Sequence, residues 1–287
     1  MLKVTNSSTV VDRGRESART VPELVCVSIR AVAQLIDDKT HGRSRLEDWL
    51  TTTEMRTFQA FTIPKRRLDW LAGRLAAKEA VRARAETGGR DSFRTIEICP
   101  STSAIDSGRP RYTVHGNEGA FGLSICHAGD TAVAALSCRP EWEIGVDLEC
   151  VLPRNASLES VALSQQEQHQ LGSLEGTSRD RAVTLVWVMK EAILKALGLG
   201  LRMPLGQLSV HLERLPDCFI PAAGEASCLA VNPATTGPMF SIDRQVGHLH
   251  PLLPKLEQLP MLISTFSLGD ALGCWVTLPA EEALWKR

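Results

Sequence analysis

Leu185-Val186-Trp187-Val188-Met189-Lys190-Glu191-Ala192-Ile193-Leu194-Lys195 is the stretch whose reading decides the fold. It reads as the second half of a helix from about Ser178 to Leu197, with Gly198 placed to end it. At about 3.6 residues per turn, Leu185, Met189, Ala192 and Ala196 fall on one apolar stripe. Trp187, Glu191 and Lys195 line a second stripe, with Lys190 beside them. Alone, this is also how an ordinary surface Glu-Lys pair looks. An upstream element, Ile144-Gly145-Val146-Asp147-Leu148-Glu149, gives it chemical meaning. Alternation turns Ile144, Val146 and Leu148 one way, and Glu143, Gly145, Asp147 and Glu149 the other. Carboxylates two residues apart on one strand face stand close enough to share a divalent cation. The bland alternative is a half-buried strand with a wet acidic face. Gly145 weighs slightly against it, because glycine inside a strand often permits close backbone approach.

Outward from this core the chain carries matching pieces. Glu23 to Val32 reads as a strand. Thr51 with Glu54, and Ser164 with Glu167, are candidate capping boxes at helix starts. A long helix is expected from Pro64 or Lys65 to Ala85, with Leu68, Leu71 and Leu75 inward and Arg74, Lys78 and Arg82 forming a cationic ridge. Ser107-Gly108-Arg109-Pro110 reads as a turn with a protruding arginine. A hairpin follows, with strands near Phe121–His127 and Thr131–Ser137, and His127 beside its turn. Gln207–Glu213 is a strand candidate in a less regular segment, and Leu262–Leu278 is a second hairpin turning at Gly269-Asp270.

These pieces recur in order: strand, capping box, long helix with Lys-Glu-Ala, and a hairpin turning at Gly-Asp. From Glu54 to Lys78 is 24 residues, and from Glu167 to Lys190 is 23. The expected fold is therefore α+β. Two similar halves, each with a long helix on a small mainly antiparallel sheet, are expected about a pseudo-twofold axis with ligand sites at their interface. The expected boundaries are a loose tail over 1–20, an N-terminal half over 21–140 bearing the basic helix, and a C-terminal half over 141–287 bearing the carboxylates.

Composition bounds the function. With 44% hydrophobic and 23% charged residues, the chain has the make-up of a soluble globular protein. It holds no apolar run long enough to span a membrane, and its first residues lack a secretory signal. The eight cysteines form no C-x-x-C pair, and several sit in apolar runs, which points to free thiols in a cytoplasmic setting. Net charge is −1, yet residues 1–90 hold 17 Lys and Arg against 11 Asp and Glu, a balance of +6. A basic first third favours an anionic partner and is too mild for nucleic acid.

Gly145-Val146-Asp147-Leu148-Glu149 followed by Trp187-x-x-Lys190-Glu191-x-x-x-Lys195 resembles the paired signature of phosphopantetheinyl transferases. Gly73-Arg74-x-x-x-Lys78, Gly108-Arg109-Pro110 and Ser124-Ile125-Cys126-His127 support the resemblance, which spans about residues 45 to 205. Length and duplication are similar to the two-half surfactin-synthetase-activating class and unlike the short trimeric acyl-carrier-protein synthases. The chain departs from the family in having Cys126 and Ala128 around the histidine, and Arg109 where lysine is usual.

The resemblance implies transfer of the 4'-phosphopantetheine arm of coenzyme A to a serine of an apo acyl or peptidyl carrier protein, releasing adenosine 3',5'-bisphosphate. It implies that Asp147, Glu149 and Glu191 hold Mg²⁺, and that Arg74, Lys78, Arg109, His127, Lys190 and Lys195 bind coenzyme A. Glu191 is the implied base and Lys195 the group that stabilises the leaving phosphate. An acidic carrier domain is the expected partner, and a monomer the expected state, with no nucleic acid and no membrane. Two alternatives stand beside this reading. A metal-dependent phosphodiesterase or nuclease also needs acids and a lysine, but the single Tyr and near-neutral charge disfavour it. A carrier-binding module without activity is the other, and the retained carboxylates argue against it.

Overall fold

The computed structural model describes residues 5–6, 21–38, 40–84, 92–101, 108–140, 142–215, 224–231, 238–243 and 253–279. The chain separates into two compact units, the first ending at Pro140 and the second beginning at Glu141. In the first, β2 (Glu23–Ser28) is followed by α1 (Ile29–Asp37), α2 (Gly42–Trp49), α3 (Thr52–Ala60) and α4 (Pro64–Arg84). Then come β3 (Ile96–Pro100), β4 (Pro110–Val114), β5 (Asn117–Glu118), β6 (Leu123–Ala128) and β7 (Thr131–Leu136). The second unit runs β8 (Trp142–Cys150), α5 (Ala156–Ala162), α6 (Gln165–Gln170), α7 (Gly176–Ala196) and β9 (Leu208–Val210). It ends with β10 (Ala226–Val231), β11 (Phe240–Ile242), β12 (Met261–Leu268) and β13 (Ala271–Pro279).

Each unit builds the same antiparallel sheet, with β2-β7-β6 in one and β8-β13-β12 in the other. The hairpins turn where Gly129 and Gly269 take φ of 55° and 63°, a left-handed geometry that glycine adopts without strain. The carbonyl after each glycine then receives the N–H just past the first strand. Ile29 donates to Asp130 O at 2.8 Å, and Val151 donates to Asp270 O at 3.0 Å. One long helix lies on each sheet, burying Leu71, Leu75 and Ala76 on α4 and Leu185, Val186, Met189 and Ile193 on α7. Both helices are 21 residues long. A small second sheet, β3-β4-β5 or β9-β11, completes each unit. The architecture is thus α+β, and none of the described helices is long and apolar enough to cross a membrane.

Both capping boxes form, with Thr51 and Ser164 hydroxyls accepting from the Glu54 and Glu167 amides. Their carboxylates then do a second job. Glu54 Oε2 receives Lys78 Nζ at 2.5 Å, and Glu54 Oε1 receives the Ile98 amide at 3.1 Å. Glu167 Oε2 receives Lys190 Nζ at 2.5 Å, and Glu167 Oε1 receives the Val210 amide at 2.7 Å. The remaining lysine donors go to Trp49 O and Phe93 O for Lys78, and to Ala162 O and Leu205 O for Lys190. An ammonium has three donors, so both lysines are saturated, and both are 0% exposed.

Three sequence expectations change here. Lys78 and Lys190 are structural ion-pair partners and are removed as coenzyme A contacts, because no donor or surface remains to meet a ligand. The cationic ridge on α4 is not continuous, since Lys78 is buried and Arg82 pairs with Glu79 at 2.5 Å and covers the Phe93 ring. The expected strand over Glu23–Val32 stops at Ser28, whose hydroxyl accepts the Ala31 amide and starts α1. Of the expected tail, residues 1–4 and 7–20 lie outside the described residues, while Thr5–Asn6 form β1 against β2.

Lys190→Met is predicted to destabilise the protein by roughly 3–5 kcal/mol in urea unfolding, because it strands the Glu167 charge. Adding Glu167→Gln is predicted to recover part of that loss. Unchanged stability with weakened coenzyme A binding would return Lys190 to the ligand.

Candidate active site

The packing of α7 on β8 sets where Asp147 and Glu191 lie. A Cβ at Gly145 would lie 1.8 Å from Ala192 O and 2.6 Å from the Ala196 amide. Only glycine lets the helix backbone settle this closely on the strand. At Gly145 and Asp147 the acidic strand face is therefore buried, whereas Glu143 and Glu149 toward its ends stay half-buried. One residue short of Ala196, Lys195 reaches back over the strand and donates to Asp147 Oδ1 at 2.6 Å and to Val146 O at 3.2 Å.

Asp147 is 6% and Glu191 8% exposed. Asp147 Oδ2 and Glu191 Oε1 are buried without a hydrogen-bond partner. Burial pushes the Asp147 carboxyl above its usual pKa, against the pull of Lys195. Burial also raises the Glu191 pKa; Lys195 lowers it, and Asp147 and Glu149 raise it further. The three carboxylates therefore sense one another's charge. Glu149 faces a different partner, since Arg154 Nη2 donates to its Oε2 at 3.2 Å.

Two orphaned buried oxygens beside a third carboxylate are a donor set of the hard-oxygen kind that suits Mg²⁺. As they stand, no three His, Cys, Asp or Glu side chains among the described residues converge closely enough to hold a metal ion. Of the three carboxylates, Glu149 is the one paired with Arg154.

In the first unit, α4 presents Arg74, whose guanidinium carbon sits 4.8 Å over the Trp70 ring. Burial depresses its pKa, and its Nε is buried without a hydrogen-bond partner. Trp70 is steadied by Phe61 and Phe58, with ring centroids 5.8 Å and 6.5 Å away. His127 lies near the end of β6 and is exposed, beside the Gly129 turn. Arg109 is 8% exposed, so it does not protrude as its turn motif suggests. Two participants went unnoticed in the sequence. Trp70 has a signal, being one helical turn before Arg74. Arg154 has none, as it lies in a loop without periodicity.

Comparisons with known proteins converge on one family. Residues 143–231 match the family model described as the 4'-phosphopantetheinyl transferase superfamily. Over 91 residues the chain is 41% identical to the holo-[acyl-carrier-protein] synthase of Oceanobacillus iheyensis, covering 31% of this chain and 72% of that one. Over 107 residues it is 34% identical to a Synechocystis protein named among the 4'-phosphopantetheinyl transferases, covering 37% of this chain and 43% of the relative. A solved holo-[acyl-carrier-protein] synthase from Neisseria meningitidis aligns at 26% identity and a TM-score of 0.32, over 39% of this chain and 92% of that one. The chain belongs to the 4'-phosphopantetheinyl transferase superfamily.

Proposed function

We propose that this protein transfers the 4'-phosphopantetheine arm of coenzyme A to a serine hydroxyl of an apo carrier protein, leaving adenosine 3',5'-bisphosphate. The observation that carries this reading is the pair of buried, unpartnered carboxylate oxygens on Asp147 and Glu191 beside the Lys195 ammonium. In this family, that arrangement suits a divalent cation on a pyrophosphate. Asp147, Glu149 and Glu191 would hold Mg²⁺. Bound Mg²⁺ supplies charge that offsets the negative charge growing on the pyrophosphate as its P–O bond breaks.

The chain's own groups do the rest. The serine oxygen forms a bond to phosphorus, its proton goes to a base, and the bond to the adenosine bisphosphate oxygen breaks. Glu191 takes the serine proton, directly or through one water. Lys195 offers a point charge to the leaving phosphate. Arg74 and His127 contact coenzyme A phosphates, Arg109 lies near the adenine end, and the Trp70 stack orients the Arg74 guanidinium. The reading takes the protein as a cytoplasmic monomer serving an acidic carrier domain, with no nucleic acid or membrane partner. The free thiols among the described cysteines support a reducing compartment.

Intact mass of an apo carrier after incubation with coenzyme A and Mg²⁺ is predicted to rise by one phosphopantetheine. EDTA is expected to abolish the gain, and Glu191→Ala to slow it roughly 100-fold or more. No gain across acyl and peptidyl carriers would favour the carrier-binding module, while coenzyme A cleavage without carrier labelling would favour the phosphodiesterase. Gly145→Ala is predicted to push α7 off β8, cost about 3 kcal/mol in urea unfolding, and lower transfer by separating Lys195 from Asp147.

A further inference from the structure

Arg154 is the residue of the second unit whose contacts join the carboxylate set to its surroundings without any role in the reading above. Its Nη2 donates to Glu149 Oε2 at 3.2 Å and to Cys150 O at 3.5 Å. Its guanidinium carbon lies 5.7 Å from the centre of the Trp187 ring, one turn before Glu191 on α7. The Arg154 side chain is 18% exposed and that of Glu149 35% exposed, so solvent and a ligand can reach the pair.

The charges here are finely matched. Asp147, Glu149 and Glu191 are three carboxylates, and Lys195 on Asp147 and Arg154 on Glu149 offset two of them. A divalent cation taking the carboxylates replaces those two pairings, which leaves two cations beside whatever anion the metal carries. A guanidinium fork fits a carboxylate and a phosphate equally well. The Trp187 face can hold that fork while its partner changes.

We propose that Arg154 is a positioning residue that exchanges partners. It holds Glu149 aside from Asp147 and Glu191 until a divalent cation recruits Glu149, and it then pairs with a phosphate oxygen of coenzyme A. This inference rests on the metal and coenzyme A reading above and deepens it.

The signature is a pair of effects of opposite sign. In calorimetric titrations of the full chain, Arg154→Gln binds Mg²⁺ alone about fivefold more tightly, because Glu149 is released from a partly exposed ion pair. With Mg²⁺ saturating, the same variant binds coenzyme A roughly tenfold more weakly, because a charge-assisted phosphate contact is lost. Arg154→Lys restores part of the coenzyme A affinity. A purely structural role weakens both titrations together, and that result overturns the exchange. Mg²⁺ uptake by the unaltered protein that Arg154→Gln leaves unchanged overturns the exchange alone. No uptake by the unaltered protein, matching an Asp147→Asn control, overturns the metal reading and the exchange with it.

Discussion

A lysine ammonium buried against a capping-box glutamate is the interaction on which both units depend. Lys78 with Glu54, and Lys190 with Glu167, each tie five pieces of chain: a helix start, the long helix, a strand amide, the last carbonyl of a neighbouring helix (Trp49 or Ala162) and the first carbonyl of a 3-10 turn (Phe93 or Leu205). A buried charge is tolerated only when its counter-charge and its hydrogen bonds are all supplied. Desolvation lowers both lysine pKa values, helped at Lys78 by the Arg74 charge, and the glutamates pull them back. Every donor and both carboxylate oxygens have partners, so the node fixes the long helix in rotation and along its axis. The stripe of α7 that carries Glu191 and Lys195 faces its strand because the stripe holding Lys190 is pinned elsewhere.

That rotation matters because the second close contact, α7 on Gly145, leaves no slack. With the helix backbone in contact with the strand, Lys195 sits where its ammonium meets both a strand carbonyl and the Asp147 carboxylate. The same approach drives Asp147 and Glu191 out of water and raises their pKa values. The first unit repeats the logic more loosely. There Gly73 sits on the helix, and a Cβ would meet only the Ile125 side chain at 3.0 Å. The unit with the tight contact is the one that carries the carboxylates.

Much of this was legible in the residues. The capping boxes, the Gly-Asp hairpins, the span of α7 and the repeat of matching pieces all follow from local chemistry that is the same in any context. Asp147, Glu149, Glu191 and Lys195 stand out in the sequence as a motif, and their chemical role is part of the proposal. What misled was solvent exposure. Helical spacing puts Lys190 beside Glu191 and Lys78 in line with Arg74, but cannot say which stripe is buried. The near-equal spacings from Glu54 to Lys78 and from Glu167 to Lys190 were themselves the trace of the ion pairs. Ser28 starts a helix because it is fixed by Asp130, about 100 residues later, which accepts from the Ser28 hydroxyl and the Arg30 amide. Arg154 depends likewise on a tryptophan more than 30 residues away. Such long-range contacts leave no local mark.

The place of β8 in its sheet has a consequence for how the protein is made. The strand bearing Asp147 and Glu149 is at the sheet's end, and β13 is its hydrogen-bonded neighbour. Ala271, the first residue of β13, emerges from a ribosome about 120 residues after Glu149. At about 5–20 residues per second, that leaves the acidic strand unpaired for roughly ten seconds of translation. The first unit, whose sheet β1-β2-β7-β6 closes by Leu136, is complete long before then. A nascent chain therefore has the strands of its first sheet complete while its second unit still lacks the strand that pairs with β8, and the acidic strand gains its partner last.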